Sequence, residues 1–275
     1  MARHNMYYVF LFAILLAAND VYGQGNVVGF SKAIEDNSFL IEEAYNQEPG
    51  VVQHISNGQY YGRDIKFIYT FTQEWPITGY KHQLSYDISY LSSESINGVD
   101  AISVNYRYQL FYRDDWACVS PRLSLIIPTS NSNNRFGDGT FKAQINLPIS
   151  KRISESLVTH FNLGSTYHHR IEWRDPGSNK VLRKSSFDFH VGGSIIWLTM
   201  QNMNLVLEWR TDLVGKSNVT GTIDRSIETI VNPGIRHAIN INNLQIVQGV
   251  SLPVTVGNDV EAVALFYLSF EHPLF

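Results

Sequence analysis

The chain has a single cysteine, Cys118, in 275 residues. A lone thiol excludes an internal disulfide framework, so stability rests on hydrogen bonding and burial. Charge is also scarce. Asp, Glu, Lys and Arg make up 17% of the residues, against about 25% in an ordinary soluble domain. The net charge is −4, with no cluster of basic side chains, so no nucleic-acid partner is expected. Beyond the N-terminus no apolar run approaches the roughly 20 residues of a membrane-spanning helix, which excludes a helical membrane protein. No apolar stripe at i, i+3, i+4 persists either. No linker or low-complexity tract divides the chain.

Aromatic residues are abundant: 15 Tyr, 15 Phe and 5 Trp, in a chain that is 44% hydrophobic. The N-terminus reads as a secretory signal. Arg3 and His4 precede the apolar run Tyr7 to Ala18, and Val21-Tyr22-Gly23 offers compact residues before a cut. Residues 1–23 are therefore expected to be a cleaved signal peptide. The run is too short for a spanning anchor, and the absence of a following cysteine argues against a lipoprotein.

From Arg63 onward the apolar pattern has a period of two, which predicts strands. Tyr80, His82, Leu84, Tyr86, Ile88 and Tyr90 share one face, opposite Lys81, Gln83, Ser85 and Asp87. Leu205, Leu207 and Trp209 oppose Glu208, Arg210 and Asp212. Similar segments continue to the end of the chain. Short links alternate with longer polar ones, as in transmembrane barrels with short periplasmic turns and longer external loops. The longer ones include Ser92 to Gly98, Thr129 to Gly139, Glu172 to Lys184 and Gly215 to Asp224. Bacterial single-chain barrels have an even strand number, which makes Val51 to Asn57 a crossing strand and the total about twelve. The expected fold is thus all-β: a transmembrane, antiparallel, up-and-down barrel over residues 51–275.

A secreted β-sandwich would alternate too, with its apolar faces inward. The export signal, the terminal Phe275 and the aromatic residues at or near strand ends favour the barrel. Those aromatics are Tyr80, Tyr90, Tyr112, Trp116, Trp173, Trp197 and Trp209. In a barrel the polar faces line the lumen. They carry Lys81, Asp87, Arg107, Arg122, Lys142, Asp188, His190, Glu208, Arg210, Asp212, Glu228 and Arg236.

Residues 24–50 precede the first strand. Glu42, Glu43 and Tyr45 mark them as a plug inside the barrel, with the acids set to pair with Arg107, Arg122 or Arg210. The alternative is a periplasmic segment or lid. Phe39, Leu40, Ile41, Tyr45 and Val51 make this stretch too apolar for a solvated tail. Ile41 to Gln47 could form a helical turn or two.

Catalysis has weak support. His160, His168 and His190 fall on the polar face, with Ser165, Ser186 and Ser194 nearby, and no nucleophile signature accompanies them. His168 and His169 point to opposite faces of a strand and cannot readily share a metal. Asp138 reads as part of a polar turn rather than a calcium ligand. No enzyme activity, cofactor or metal is expected.

Two short motifs carry a resemblance. Leu123-Ser124-Leu125-Ile126-Ile127-Pro128-Thr129-Ser130, followed by Phe136-Gly137-Asp138-Gly139, is one, and Asn232-Pro233-Gly234-Ile235-Arg236 is the other. Together they resemble the bacterial outer-membrane barrel family named for the meta-pathway of phenol degradation, whose members are often labelled transporters. Ser130 stands where that family usually has Gly. The resemblance implies a barrel of the 12-stranded class and passage of small, even hydrophobic, molecules, and it defines no binding residues. The alternative is a structural or adhesion barrel whose lumen is closed by charge pairs. Expected partners are outer-membrane lipids, the barrel assembly machinery and a small solute.

The chain ends on an apolar strand with a terminal aromatic, which resembles the assembly signal of outer-membrane barrels. Deletion of Phe275 should therefore lower outer-membrane assembly without blocking secretion. The truncated protein should accumulate as a protease-sensitive periplasmic species. Assembly at the normal rate would remove that role from Phe275.

Overall fold

The computed structural model describes residues 34, 38–94, 97–112, 116–129, 139–174, 181–217, 222–257 and 260–274. The expected signal peptide (residues 1–23), residues 24–33 and 35–37 of the expected plug, Asp138 and Phe275 lie outside the described residues, as does the Trp173 side chain.

The described elements are all strands: β1 (Val51–Tyr61), β2 (Lys66–Thr78), β3 (His82–Ser92), β4 (Asn97–Tyr108), β5 (Cys118–Val119), β6 (Arg122–Pro128), β7 (Lys142–Ser154), β8 (Leu157–Arg174), β9 (Val181–Met200), β10 (Met203–Ser217), β11 (Ile223–Ile241), β12 (Leu244–Ser251), β13 (Val254–Val256) and β14 (Val263–Pro273). Each longer strand pairs antiparallel with its neighbours in sequence, and β1 pairs with β14 to close the ring. The short β5 and β13 are fragments. β5 continues β6 across Pro121, and β13 continues β12 across Pro253. Proline lacks the N–H a ladder requires, so it interrupts a strand without ending it. The result is a 12-stranded antiparallel barrel.

The register puts polar residues inside and apolar residues outside. Gln83, Asn105, Asn162, Ser194, Glu208 and Arg236 are buried, while Leu123, Leu163, Leu207 and Phe266 are exposed. A water-soluble protein does the reverse. Such a surface is stable only where the surroundings are hydrocarbon, and there a closed barrel leaves no unpaired backbone edge.

The strands are longest from β8 to β11, at 15 to 20 residues. About 9–11 tilted residues cross a bilayer, so these strands project beyond it on the long-loop side. Two expected links are accordingly shorter than the sequence pattern suggests. β4 already begins at Asn97, and the β8–β9 ribbon consumes both ends of the Glu172 to Lys184 segment. Trp209 is not at a strand end but lies mid-strand in β10, directly across from Gly193. The short-turn end includes the Asn242-Asn243 hairpin, where Asn242 takes φ 53°, a left-handed conformation that asparagine tolerates.

Residues 38–47 run inside the barrel near its short-turn end, and the exposed residues 48–50 lead into β1. No helix forms at Ile41 to Gln47. The backbone N–H groups of Ile41, Glu42, Ala44, Asn46 and Gln47 are instead taken by side chains of the wall. A helix would need those donors for its own ladder.

The inverted pattern can be tested directly. Leu207→Arg should destabilise the inserted barrel by about 2–4 kcal/mol if it lies at the bilayer midplane. Gln144→Arg, on the inner face, should cost far less. Unfolding from lipid vesicles, followed by heat-modifiable gel mobility, compares the two. Equal damage would contradict the assigned faces.

Candidate functional site: the plugged lumen

The described N-terminal residues, Ile34 and 38–47, form a stretch held at three places. At its start, Asn204 Nδ2 donates to the Ile34 carbonyl at 2.6 Å, and Arg236 Nη2 donates to the same oxygen at 3.3 Å. Next, the Glu208 carboxylate accepts from the backbone N–H groups of Phe39, Leu40 and Ile41 at 3.0–3.1 Å. Asn232 Nδ2 donates to the other side of that carboxylate at 2.6 Å. Successive N–H groups converging on one carboxylate form an anion-binding concavity.

The third place is built around Arg107. Its Nε donates to Asn46 Oδ1 at 2.9 Å, Nη1 to the Glu43 carbonyl at 2.9 Å, and Nη2 to the Tyr45 carbonyl at 2.8 Å. Its guanidinium also lies 3.3 Å from Glu42, 3.6 Å from Glu43 and 3.6 Å from Glu74. Arg122 takes the other Glu42 oxygen at 3.1 Å. A planar fork with five donors suits this mixture of carbonyls and carboxylates. Between these places, Asn162 and Glu42 exchange backbone and side-chain hydrogen bonds at 2.7–2.8 Å. Ser150 Oγ accepts from Ala44 N–H at 2.7 Å.

Apolar contacts complete the docking. The Phe39 ring stands edge-on to Tyr267, with centroids 6.0 Å apart. A Cβ at Gly234 or Gly249 would collide with that ring. The Asn232-Pro233-Gly234-Ile235-Arg236 stretch therefore has a physical meaning. Its inward-facing members bond Glu208, make room for Phe39 and hold Ile34. Pro233 faces outward, across from Leu207.

Above the segment lies a cavity of about 150 Å³, lined by residues that include Glu42, Arg122, Gln144, Asn162, His190 and Arg210. Its walls are polar. His190 Nε2 lies 3.1 Å from Asn146 Oδ1, and Arg122 Nη2 donates to Gln144 at 2.8 Å. Arg210 pairs with Asp212 at 2.7 Å, and Glu228 stands opposite Asp212 in the ladder. His168 contacts Asp188 at 2.8 Å, on the same wall as Lys142. Asp87 accepts from Thr72 and Asn105. Lys81 is placed differently from the other charges, exposed in the turn before β3.

The segment also bonds to neutral groups that sequence reasoning passed over: Gln83, Gln109, Ser150, Asn162 and Asn204. Their signal was present, since all five are small polar or amide residues at inward strand positions or beside them. Attention to charge alone misses them. His160 is 2.7 Å from Ser150 and edge-on to Tyr45, buried beneath the segment. The sequence did not indicate Ser150 as its partner. Among the described residues, no group of three or more His, Cys, Asp or Glu is placed to hold a metal ion.

No family model matches the chain, and no curated protein matches it. Solved structures do. An outer-membrane channel from Pseudomonas putida F1 matches at a TM-score of 0.59 and 13% identity, covering 83% of this chain and 97% of its own. The porin NanC matches at 0.54 and 12%, covering 80% and 100%. The porin KdgM, solved in complex with disordered oligogalacturonate, matches at 0.50 and 9%, covering 82% and 99%. The chain has the fold of outer-membrane barrel porins and channels.

Glu208→Ala should loosen the segment. It leaves three N–H groups without their acceptor, and each such loss costs about 1–3 kcal/mol when buried. A cysteine placed at Leu40 in a Cys118→Ser background should then react faster with a thiol reagent. Glu208→Gln keeps an acceptor oxygen and should fall between. Equal rates in all three proteins would show that Glu208 does not hold the segment.

Proposed function

We propose that this protein is an outer-membrane channel for small polar solutes, and that its N-terminal segment occludes the lumen until displaced. The observation that carries the reading is the bonded path of residues 38–47 across a polar interior, with a cavity of about 150 Å³ beside it. A 12-stranded barrel is wider than the eight-stranded ones that side chains alone fill. A segment of chain takes up the remaining space here, and a segment can move where a packed wall cannot.

The cavity lining favours a polar solute. Arg122, Gln144, Asn146, Asn162 and Arg210 offer donors and acceptors throughout, and a hydrophobic molecule would strip them of water without replacing those bonds. The resemblance to the phenol meta-pathway family supports small hydrophobic cargo, and the polar lining weighs against it. Export by a cleaved signal, insertion by the assembly machinery and an outer-membrane address belong to the same proposal. Enzyme activity has little support. Ser150 Oγ already accepts from Ala44, and the Ser150–His160 pair is covered by the segment.

One observation favours a second reading, that of a permanently closed structural barrel. Arg107 is fully engaged, and breaking such a buried ionic cluster costs about 3–5 kcal/mol. Planar-bilayer recording separates the two. The parent protein should show small or rare openings. Arg107→Ala, or removal of residues 38–47, should raise conductance several-fold. A barrel that folds but stays silent after removal of the segment would favour the structural reading.

A further inference from the structure

The outer wall carries a second cavity, of about 270 Å³, that opens toward lipid. It lies over β7 to β10, toward the short-turn end. Its floor is Gly193, the one outward position in this row without a side chain. Phe161 lies on one side and Trp209 on the other, because both pair directly with Gly193. The Trp209 indole nitrogen would be only 3.1 Å from a Cβ at Gly193, so the missing Cβ lets the indole lie against Gly193 at the edge of the hollow.

Lys151 lines the same hollow. It stands on the outward face of β7, between Ile149 and Ile153 along the strand and across from Thr159 on β8. Among the described residues its ammonium group has no hydrogen-bond or ion-pair partner, and neither has the Trp209 indole N–H. A cation on the lipid face is costly except close to the headgroups. Lys151 is four positions from the Glu155-Ser156 turn, within reach of that level by extending its side chain. The wall therefore offers, side by side, an apolar slot, an unneutralised cation and an indole donor.

We propose that this groove is a binding site for one anionic phospholipid of the leaflet on the short-turn side, with an acyl chain against Gly193 and the phosphate at Lys151. Lipid is the occupant because the surrounding wall is apolar and exposed, with Phe161, Ile195 and Trp209 all facing out. The lysine selects a net negative headgroup over a zwitterionic one, whose own ammonium would compete with it.

Native mass spectrometry of the detergent-solubilised, folded barrel tests the proposal. Phosphatidylglycerol and phosphatidylcholine with identical acyl chains would be added at equal concentration. The parent should retain one phosphatidylglycerol several-fold more than phosphatidylcholine. Lys151→Gln should abolish that preference, while Lys142→Gln, which faces the lumen, should leave it intact. Gly193→Val should lower retention of both lipids by filling the slot. Glycerol phosphate, lacking acyl chains, should not be retained. Equal retention of the two lipids by the parent, or an unchanged preference in Lys151→Gln, would overturn the proposal. So would retention of glycerol phosphate as strong as that of the lipid.

Discussion

Hydrocarbon offers a peptide group no hydrogen-bond partner, and the rest of this structure follows from that. Every N–H and C=O at membrane depth must be satisfied within the protein. The ladder does so around a full ring, and the β1–β14 pairing removes the last edge. Even the two interruptions, at Pro121 and Pro253, are bridged, because β5 and β13 keep pairing beyond them.

Closure inverts the usual distribution of side chains. The apolar residues go outward to lipid, leaving a polar interior that must satisfy itself. A 12-stranded ring is too wide for side chains from opposite walls to meet throughout. The N-terminal segment fills the gap with its backbone. Amides of the wall serve as its hydrogen-bond partners, so Phe39 to Gln47 neither needs nor has secondary structure. Glu208 and Arg107 are the most heavily bonded charged fixtures. One collects N–H groups, the other carbonyls and carboxylates, and each is enclosed by partners of complementary kind. The ionic part of this network is costly to break.

The alternation along β3, β10 and β14 was legible in the sequence because a period of two follows from strand geometry alone. The crossing strand at Val51 followed from parity. Trp209 was misplaced for a physical reason: its pattern matched an interfacial aromatic, but pairing with β11 carries β10 on to Ser217 and leaves Trp209 in mid-strand. The helical turn expected at Ile41 to Gln47 failed similarly. Local propensity cannot register that Asn162, Ser150, Gln109 and Gln83, spread from position 83 to 162, compete for the same N–H groups.

The sequence by itself determined the all-β fold and which residues share a strand face, since a period of two is a property of nearby residues, and, once a barrel was inferred from the chain ends and the aromatics, the even strand number. It also held the acids and aromatics of the segment. Only the tertiary structure decided where that segment goes and which residues receive it. Those contacts join positions up to 202 apart, and they come into existence only once closure of the ring sets the width of the lumen.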